Sequence, residues 1–443
     1  MQINSGDAAW MLASSALVLF MTPGLAFFYG GMVRSKSVLN MLMMNFACIG
    51  VVTLLWVLFG YSLAFKGTNP VIGNFDAFGL KGTITGIFGA KGDQYPELIF
   101  SAFQLMFAII TPALISGSIA DRVKFGAWIT FVALWTTIVY FPVAHWVFYF
   151  NNGQGGWIAD HLHAMDFAGG TAVHINAGAA GLALAIVLRK RVGWPREPMR
   201  PHNLPLVLLG AGILWFGWFG FNAGSAVTAG SGAALAFMNT QVATASAAIG
   251  WIVVEKVRDG HSTTLGIASG AVAGLVAITP ACGSINPIGA IILGIAAGAI
   301  CAFAVGLKYR FGFDDSLDVV GVHLVGGIVG TLAIGVLATG TAIKATGSLG
   351  QAGFWDGGDF TQLGKQALAA GAVLAYSFII AAILGFAIDK TIGFTVDEET
   401  EVNGIDQGVH AETGYEFSGF GGSLGGAARS VIGTQGSQER IDA

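Results

Sequence analysis

Charge is what this sequence has least of. Of its 443 residues, 21 are basic and 25 acidic, so 10% are charged. Soluble globular chains carry about 25%. The hydrophobic fraction is 54%, more apolar surface than so few charges can cover in water. This shortage excludes a soluble enzyme, a nucleic-acid binder and a disordered scaffold. Cysteine is scarce as well. Cys48, Cys282 and Cys301 are odd in number and lie in apolar runs. They supply neither a disulfide framework nor a metal-ligand spacing.

Long apolar runs fill the space that charge leaves. A bilayer core about 30 Å thick needs roughly 20 apolar residues per helix. Eleven such runs occur: Ala8–Tyr29, Val38–Phe65, Leu98–Ala120, Phe125–Tyr149, Asp166–Leu188, Leu204–Asn222, Gly232–Val254, Ser262–Thr279, Pro287–Leu307, Leu317–Gly340 and Ala367–Ile388. They are too long and continuous for a strand barrel. The expected fold is an all-α polytopic membrane protein. Residues 1–390 form its membrane domain and 391–443 a cytoplasmic tail. The 66 glycines suit helices that pack closely in lipid.

The basic residues set the orientation. Lys66, Lys81, Lys91, Lys344 and Lys365 fall on one side, and the other 16 of the 21 on the opposite side or the tail. By the positive-inside rule the N-terminus is outside and the C-terminus cytoplasmic. No Lys or Arg falls inside a run. The first run has no basic residue before it, so it reads as a retained helix rather than a secretory signal.

Two spans share a pattern. The fifth contains Asp166, then Val173-His174, Gly178 and Gly181. The tenth contains Asp318, then Val322-His323, Gly327 and Gly330. Glycines four and seven residues after a histidine share its helical face. Spans five apart in an odd-numbered repeat insert with opposite topology, the plan of inverted-repeat transporters with a midplane site. Ionisable groups in lipid are costly and mark pathways, which singles out His174 and His323 as pore-lining. His145, late in the fourth span, reads as a satisfied core residue. Asp166 and Asp318, at helix starts, read first as caps. Phe103 and Phe107 share a face, and Trp215, Phe216, Trp218, Phe219 and Phe221 crowd the sixth span. Interfacial belts account for many such aromatics. Above a polar pore, aromatic faces also attract ammonium-type cations.

These residues fall into longer motifs. The stretch Asp166-Phe-Ala-Gly-Gly-Thr-Ala-Val-His174-Ile-Asn-Ala-Gly resembles a signature of the ammonium transporter (Amt/Mep/Rh) family, bacterial Amt branch. So do Trp218-Phe-Gly-Phe221-Asn222-Ala-Gly-Ser225, Phe103-Gln104-x-x-Phe107, Ile110-Thr111-Pro, Ile278-Thr279-Pro280 and Asp314-Asp315-x-x-Asp318-Val-x-Gly-Val-His323. The resemblance runs in order from about residue 8 to 416. It implies the family's fold of eleven helices, an inverted five-helix repeat plus an eleventh, assembled as a homotrimer in the bacterial plasma (inner) membrane. It further implies a transporter of ammonium/ammonia, with methylammonium as analogue, and not an enzyme. No cofactor, metal or nucleic acid is expected.

Carried over residue by residue, the resemblance implies an outer recruitment site at Phe107, Trp218 and Ser225, supported by Phe103, with Asp166 ordering the backbone around it. Phe107 and Phe221 form the gate. His174 and His323 are the twin pore histidines, with Thr279 near the pore beneath the gate. Phe148 aligns with a position that is Trp in many relatives, with Trp146 two residues earlier. The tail run Gly404-x-Asp406-x-x-x-His410-x-Glu412-x-x-Tyr415 resembles the family's regulatory motif, which implies contacts with neighbouring subunits and a PII-type protein (GlnK) at the cytoplasmic face. The stretch after about Phe420 reads as solvated tail, and the one G-x-S-x-G match, Gly421 to Gly425, lies within it. An ammonium sensor and a neutral gas channel with the same pore stay open as alternatives. Paired Asn-Pro-Ala half-helices, which a water channel would need, are absent, since Asn286-Pro287 is followed by Ile288.

Overall fold

A computed structural model describes residues 3–415. The stretch after about Phe420, expected as solvated tail, and the G-x-S-x-G match lie outside the described residues. Among the described residues, ten helical segments are long and apolar enough to cross a membrane. They are α1 (Ser5–Met32), α2 (Ser35–Phe65), α3 (Glu97–Ile119), α4 (Phe125–Phe148), α5 (Gly170–Val187), α6 (Leu204–Gly224), α7 (Ser231–Asp259), α9 (Pro287–Phe311), α10 (Val320–Leu337) and α11 (Thr361–Thr391). The eighth expected run holds the shorter apolar helix α8 (Thr264–Ile278). Several helices outrun their apolar stretches, so Lys308 and Arg310 ride on the last turn of α9 rather than in a loop.

Local chemistry fixes where these helices begin. The side chains of Asn4, Asn203, Thr263 and Asn286 accept from the N–H groups of Asp7, Leu206, Gly266 and Gly289. Each satisfies a donor that has no intrahelical partner. Pro205 and Pro287 add their fixed φ in the first turns of α6 and α9.

The fifth and tenth spans break the α-helical pattern at matching places. Gly170–Ile175 and Val320–Leu324 are π-helical turns, and each carries its histidine. Such widened turns recur at functional sites, because they re-aim side chains the α-helix would stack regularly. Glycines following the histidines bring the two spans together. A Cβ on Gly178 would sit 2.5 Å from the backbone nitrogen of Leu324, and one on Gly327 would sit 3.0 Å from Ile175 Cγ1 and 3.2 Å from the Gly170 carbonyl. Close backbone approach at small residues is how helices associate without a hydrophobic drive.

The tail from Glu398 is folded onto the end of the helix bundle that carries Arg34 and Arg189. Helix α12 (Glu398–Asn403) is capped by Asp397, whose carboxylate accepts from Thr400 N at 2.7 Å. Gly404 then turns the chain at φ +126°, over Lys36, a backbone conformation that favours glycine.

Candidate functional site: a gated apolar lumen

The site begins at a cavity of about 1130 Å³, on the side expected to face outward, whose lining includes Phe107, Phe148, Asp166 and Ser225. Asp166 lies just before the π-helical start of α5. Its carboxylate accepts from Gly169 N (2.8 Å), Gly170 N (2.6 Å), Thr171 N (2.8 Å), Ala172 N (3.2 Å) and the Thr171 hydroxyl. One carboxylate therefore satisfies four backbone donors at a helix start, where the dipole also favours negative charge. Asp160 does similar work in the preceding loop, accepting from Asn151 N, Gly153 N and Gly155 N at 2.8–3.0 Å. Burial alone would raise its pKa, but the three N–H donors outweigh that and hold it below the usual carboxylate value. At the cavity rim Lys66 is paired with Glu97 at 2.6 Å.

The cavity floor is closed by phenyl rings. Phe107 and Phe221 lie with centroids 4.3 Å apart and an interplanar angle of 34°. Phe148 presents an edge to Phe107 at 6.3 Å. The Ser225 hydroxyl, which donates to Phe221 O at 2.8 Å, lies beside the gate. Phe103 and Trp218 depart from expectation: neither lines the outer cavity. Phe103 is fully buried behind Phe107, edge-on at 4.9 Å. Trp218 sits below the gate, stacked on His174 at 5.4 Å. Its indole donates to Thr279 Oγ1 at 2.8 Å. Thr279 in turn donates to Leu275 O, so it orients Trp218 and does not itself line the lumen. Trp146 does not replace the missing indole at 148. It packs against Trp157 and Tyr376 and donates to Val71 O.

Below the gate is a lumen of about 10 Å³, roughly the space for one water-sized molecule. Its walls are apolar (Leu25, Ile110, Leu114, Leu214 and Val272 among them) except for His174 and His323. The imidazoles face each other with Nδ1 to Nδ1 at 3.3 Å. His174 Nε2 is buried without a hydrogen-bond partner among the described residues. His323 Nε2 lies 3.5 Å from the Tyr29 hydroxyl, which donates to Leu114 O. His145 is apart from this line. Its ring bridges the carbonyls of Ala64 and Asn69 at 2.9 and 2.7 Å and ties the loop after α2 to α4.

The structure corrects the expected partner of Asp166 in the repeat. Asp318 is no cap. It adopts φ +65° and pairs with Lys308 at 2.7 Å. The cap on α10 is Asp315, fully buried, which accepts from Val319 N and Val320 N. The sequence held this signal, because Asp166 and Asp315 each precede their histidine by the same interval. Burial pushes Asp315 up to about 7, with Lys308 opposing and Asp318 adding to the rise.

Other residues escaped the sequence reading. Arg122 and Arg191 clasp Asp314 at 2.7 Å each. Glu401 of α12, with a fully buried side chain, pairs with Arg189 at 2.6 Å and Arg34 at 3.5 Å and accepts from Val192 N. The expected tail residues lie nearby. Asp406 caps Leu39 N and Asn40 N. His410 meets Asn40 Oδ1 at 2.9 Å and packs on Phe125. The Tyr415 hydroxyl meets His202 Nε2 at 2.8 Å. Glu412 is exposed and bonded through its backbone to Asp406 O.

A helical membrane protein in which a phenyl pair separates a large cavity from a small apolar lumen has the makings of a transporter. Comparison with known proteins makes the class specific. The model of the Ammonium Transporter Family matches residues 9–415, and the chain belongs to that family. It is 59% identical to an ammonium transporter of Mycobacterium bovis over 441 residues, covering 95% of this chain and 92% of the relative. It is 45% identical to an ammonium transporter of Bacillus subtilis, covering 94% and 100%. Among solved structures, Candida albicans Mep2 superimposes with TM-score 0.82 at 34% identity, covering 90% and 88%. A structure described as a "Sensor Amt Protein" gives TM-score 0.82 at 27% identity, covering 91% and 97%.

Proposed function

We propose that this chain takes up ammonium by admitting the cation at the outer cavity and passing it onward as ammonia. Glu97, Asp160 and Asp166 against Lys66 leave the cavity net negative, which concentrates cations at its mouth. The faces of Phe107 and Phe148 and the Ser225 hydroxyl replace part of the hydration shell of ammonium. Below the gate, an apolar lumen without a fixed charge penalises any cation that keeps its charge. Ammonium can leave a proton behind and cross as ammonia, with His174 and His323 offering hydrogen bonds. Potassium, of similar size and charge, has no proton to lose. The released proton follows through the linked imidazoles, which form a relay toward Tyr29.

The observation that carries this reading is the close, tilted Phe107–Phe221 pair directly above the linked His174–His323 pair. The N-terminus is outside, the protein is a homotrimer, and the tail from Gly404 to Tyr415 is its regulatory segment, open to a PII-type protein at the cytoplasmic face. Methylammonium uptake into proteoliposomes tests the reading: uptake above protein-free liposomes supports it, and none above them overturns it. A sensor is the second reading, favoured by the likeness to the "Sensor Amt Protein". It predicts saturable binding with negligible flux in the same vesicles.

A further inference from the structure

The segment leading into Asp166 is held by the eleventh span, which lies outside the ten-helix repeat. Gln366 of α11 is fully buried. Its Oε1 accepts from Met165 N at 2.7 Å, and its Nε2 donates to Met165 O at 2.7 Å. The side-chain amide thus pairs with both polar groups of the residue before Asp166, as a neighbouring strand would. Gln362, one turn earlier and also fully buried, backs this clamp. Its Nε2 donates to Gln366 Oε1 at 2.9 Å and His163 O at 3.3 Å, while its Oε1 accepts from Gln351 N at 3.0 Å.

The other half of the repeat solves the same problem with charge. Asp315 corresponds to Asp166, so Asp314 corresponds to Met165 and Ser316 to Phe167. One link is common to both halves: Phe167 N donates to Pro280 O, and Ser316 N to Ser118 O, each at 3.1 Å. The carbonyl before the capping Asp is held differently. On the cytoplasmic side Arg122 Nη2 donates to Asp314 O at 2.7 Å. On the outer side the donor is the neutral amide of Gln366. A guanidinium there would offset the Asp166 carboxylate and repel an arriving cation across a few ångströms of low-dielectric protein.

We propose that Gln366, supported by Gln362, is a positioning residue for the outer site: an uncharged clamp on the Met165 peptide that fixes Asp166 without placing a cation beside the ammonium path. The proposal rests on the reading of Asp166 as part of that site.

Ammonium-driven currents from proteoliposomes on a solid-supported membrane test it, comparing wild type, Gln366→Leu, Gln366→Glu and Asp166→Ala across a range of external pH. Gln366→Leu loses both hydrogen bonds to Met165, and its maximal current should fall by roughly tenfold or more, the scale of a small misplacement at a site. Gln366→Glu supplies a readout that general destabilisation does not. A protonated carboxyl can donate to Met165 O and accept from Met165 N, whereas a carboxylate cannot donate. Its current relative to wild type should therefore be highest at acid pH and decline as pH rises. A Gln366→Glu profile superimposable on wild type would overturn the clamp, and so would an undiminished Gln366→Leu current. If Gln366→Leu fails to assemble, the pH profile of Gln366→Glu decides alone. A full current from Asp166→Ala defeats the underlying reading of the site; a silent Asp166→Ala beside a flat Gln366→Glu profile defeats the clamp only.

Discussion

Replacing Glu401 by Gln should release the tail from the membrane domain. The substitution keeps the shape and removes the charge. The Glu401 carboxylate is fully buried between Arg189 and Arg34, and the neighbouring Arg122 and Arg191 are matched by Asp314 and Asp121. Four guanidiniums then face two carboxylates instead of three. Breaking a fully buried pair costs about 3–5 kcal/mol. Here Arg34 and Arg189 are 23% and 29% exposed, so water takes up part of the loss. About 2 kcal/mol for tail docking is the expected scale. At 1.4 kcal/mol per tenfold, that shifts the docked-to-released ratio roughly 30-fold. Limited proteolysis within residues 397–415 reads the released population when reclosing is fast relative to cleavage. Cleavage of Glu401→Gln should be faster by at least an order of magnitude. Cleavage at the wild-type rate would refute the electrostatic account of docking.

Three further outcomes follow from the same geometry. The His174→Ala/His323→Ala double variant should keep its oligomeric state by native mass spectrometry yet change ammonium flux or selectivity; wild-type flux with full selectivity would remove the histidines from the path. Asp166→Ala orphans four backbone donors at the start of α5 and should abolish methylammonium uptake, whereas intact uptake would return Asp166 to a capping role. Asp315 holds its proton to about pH 7 in the folded protein but to only about pH 4 when unfolded. The folded state therefore binds more protons in that window, and this group's contribution to stability falls as pH rises through it and levels off above. Thermal unfolding in detergent from about pH 5 to 8 should show a decline in wild type that Asp315→Asn lacks; parallel curves would contradict the assignment.

Much of the molecule was legible because lipid imposes strong rules. Span length, the absence of Lys and Arg from the apolar runs, and the histidine–glycine register each leave a mark in one dimension. So did the Phe107–Phe221 pair, through the motif resemblance. What escaped depends on depth and on chain crossings. Trp218 and Ser225 are neighbours in one motif, yet two helical turns put the indole below the gate and the hydroxyl above it. Asp318 lies nearer the histidine, but Asp315 has the interval that matches Asp166 and is the residue that caps α10. Glu401 meets Arg189, and Gln366 meets Met165, across some two hundred residues. Nothing local distinguishes these side chains from solvated ones. The helices bring them together, and burial makes their pairing obligatory.

The central claim is that the lumen passes only a cation able to shed its charge. Solid-supported-membrane recordings from wild-type proteoliposomes, with matched pulses of ammonium, methylammonium and potassium, test it most directly. The account predicts saturable currents for ammonium and methylammonium and a potassium response no larger than that of protein-free liposomes. A potassium current comparable to the ammonium current would contradict it.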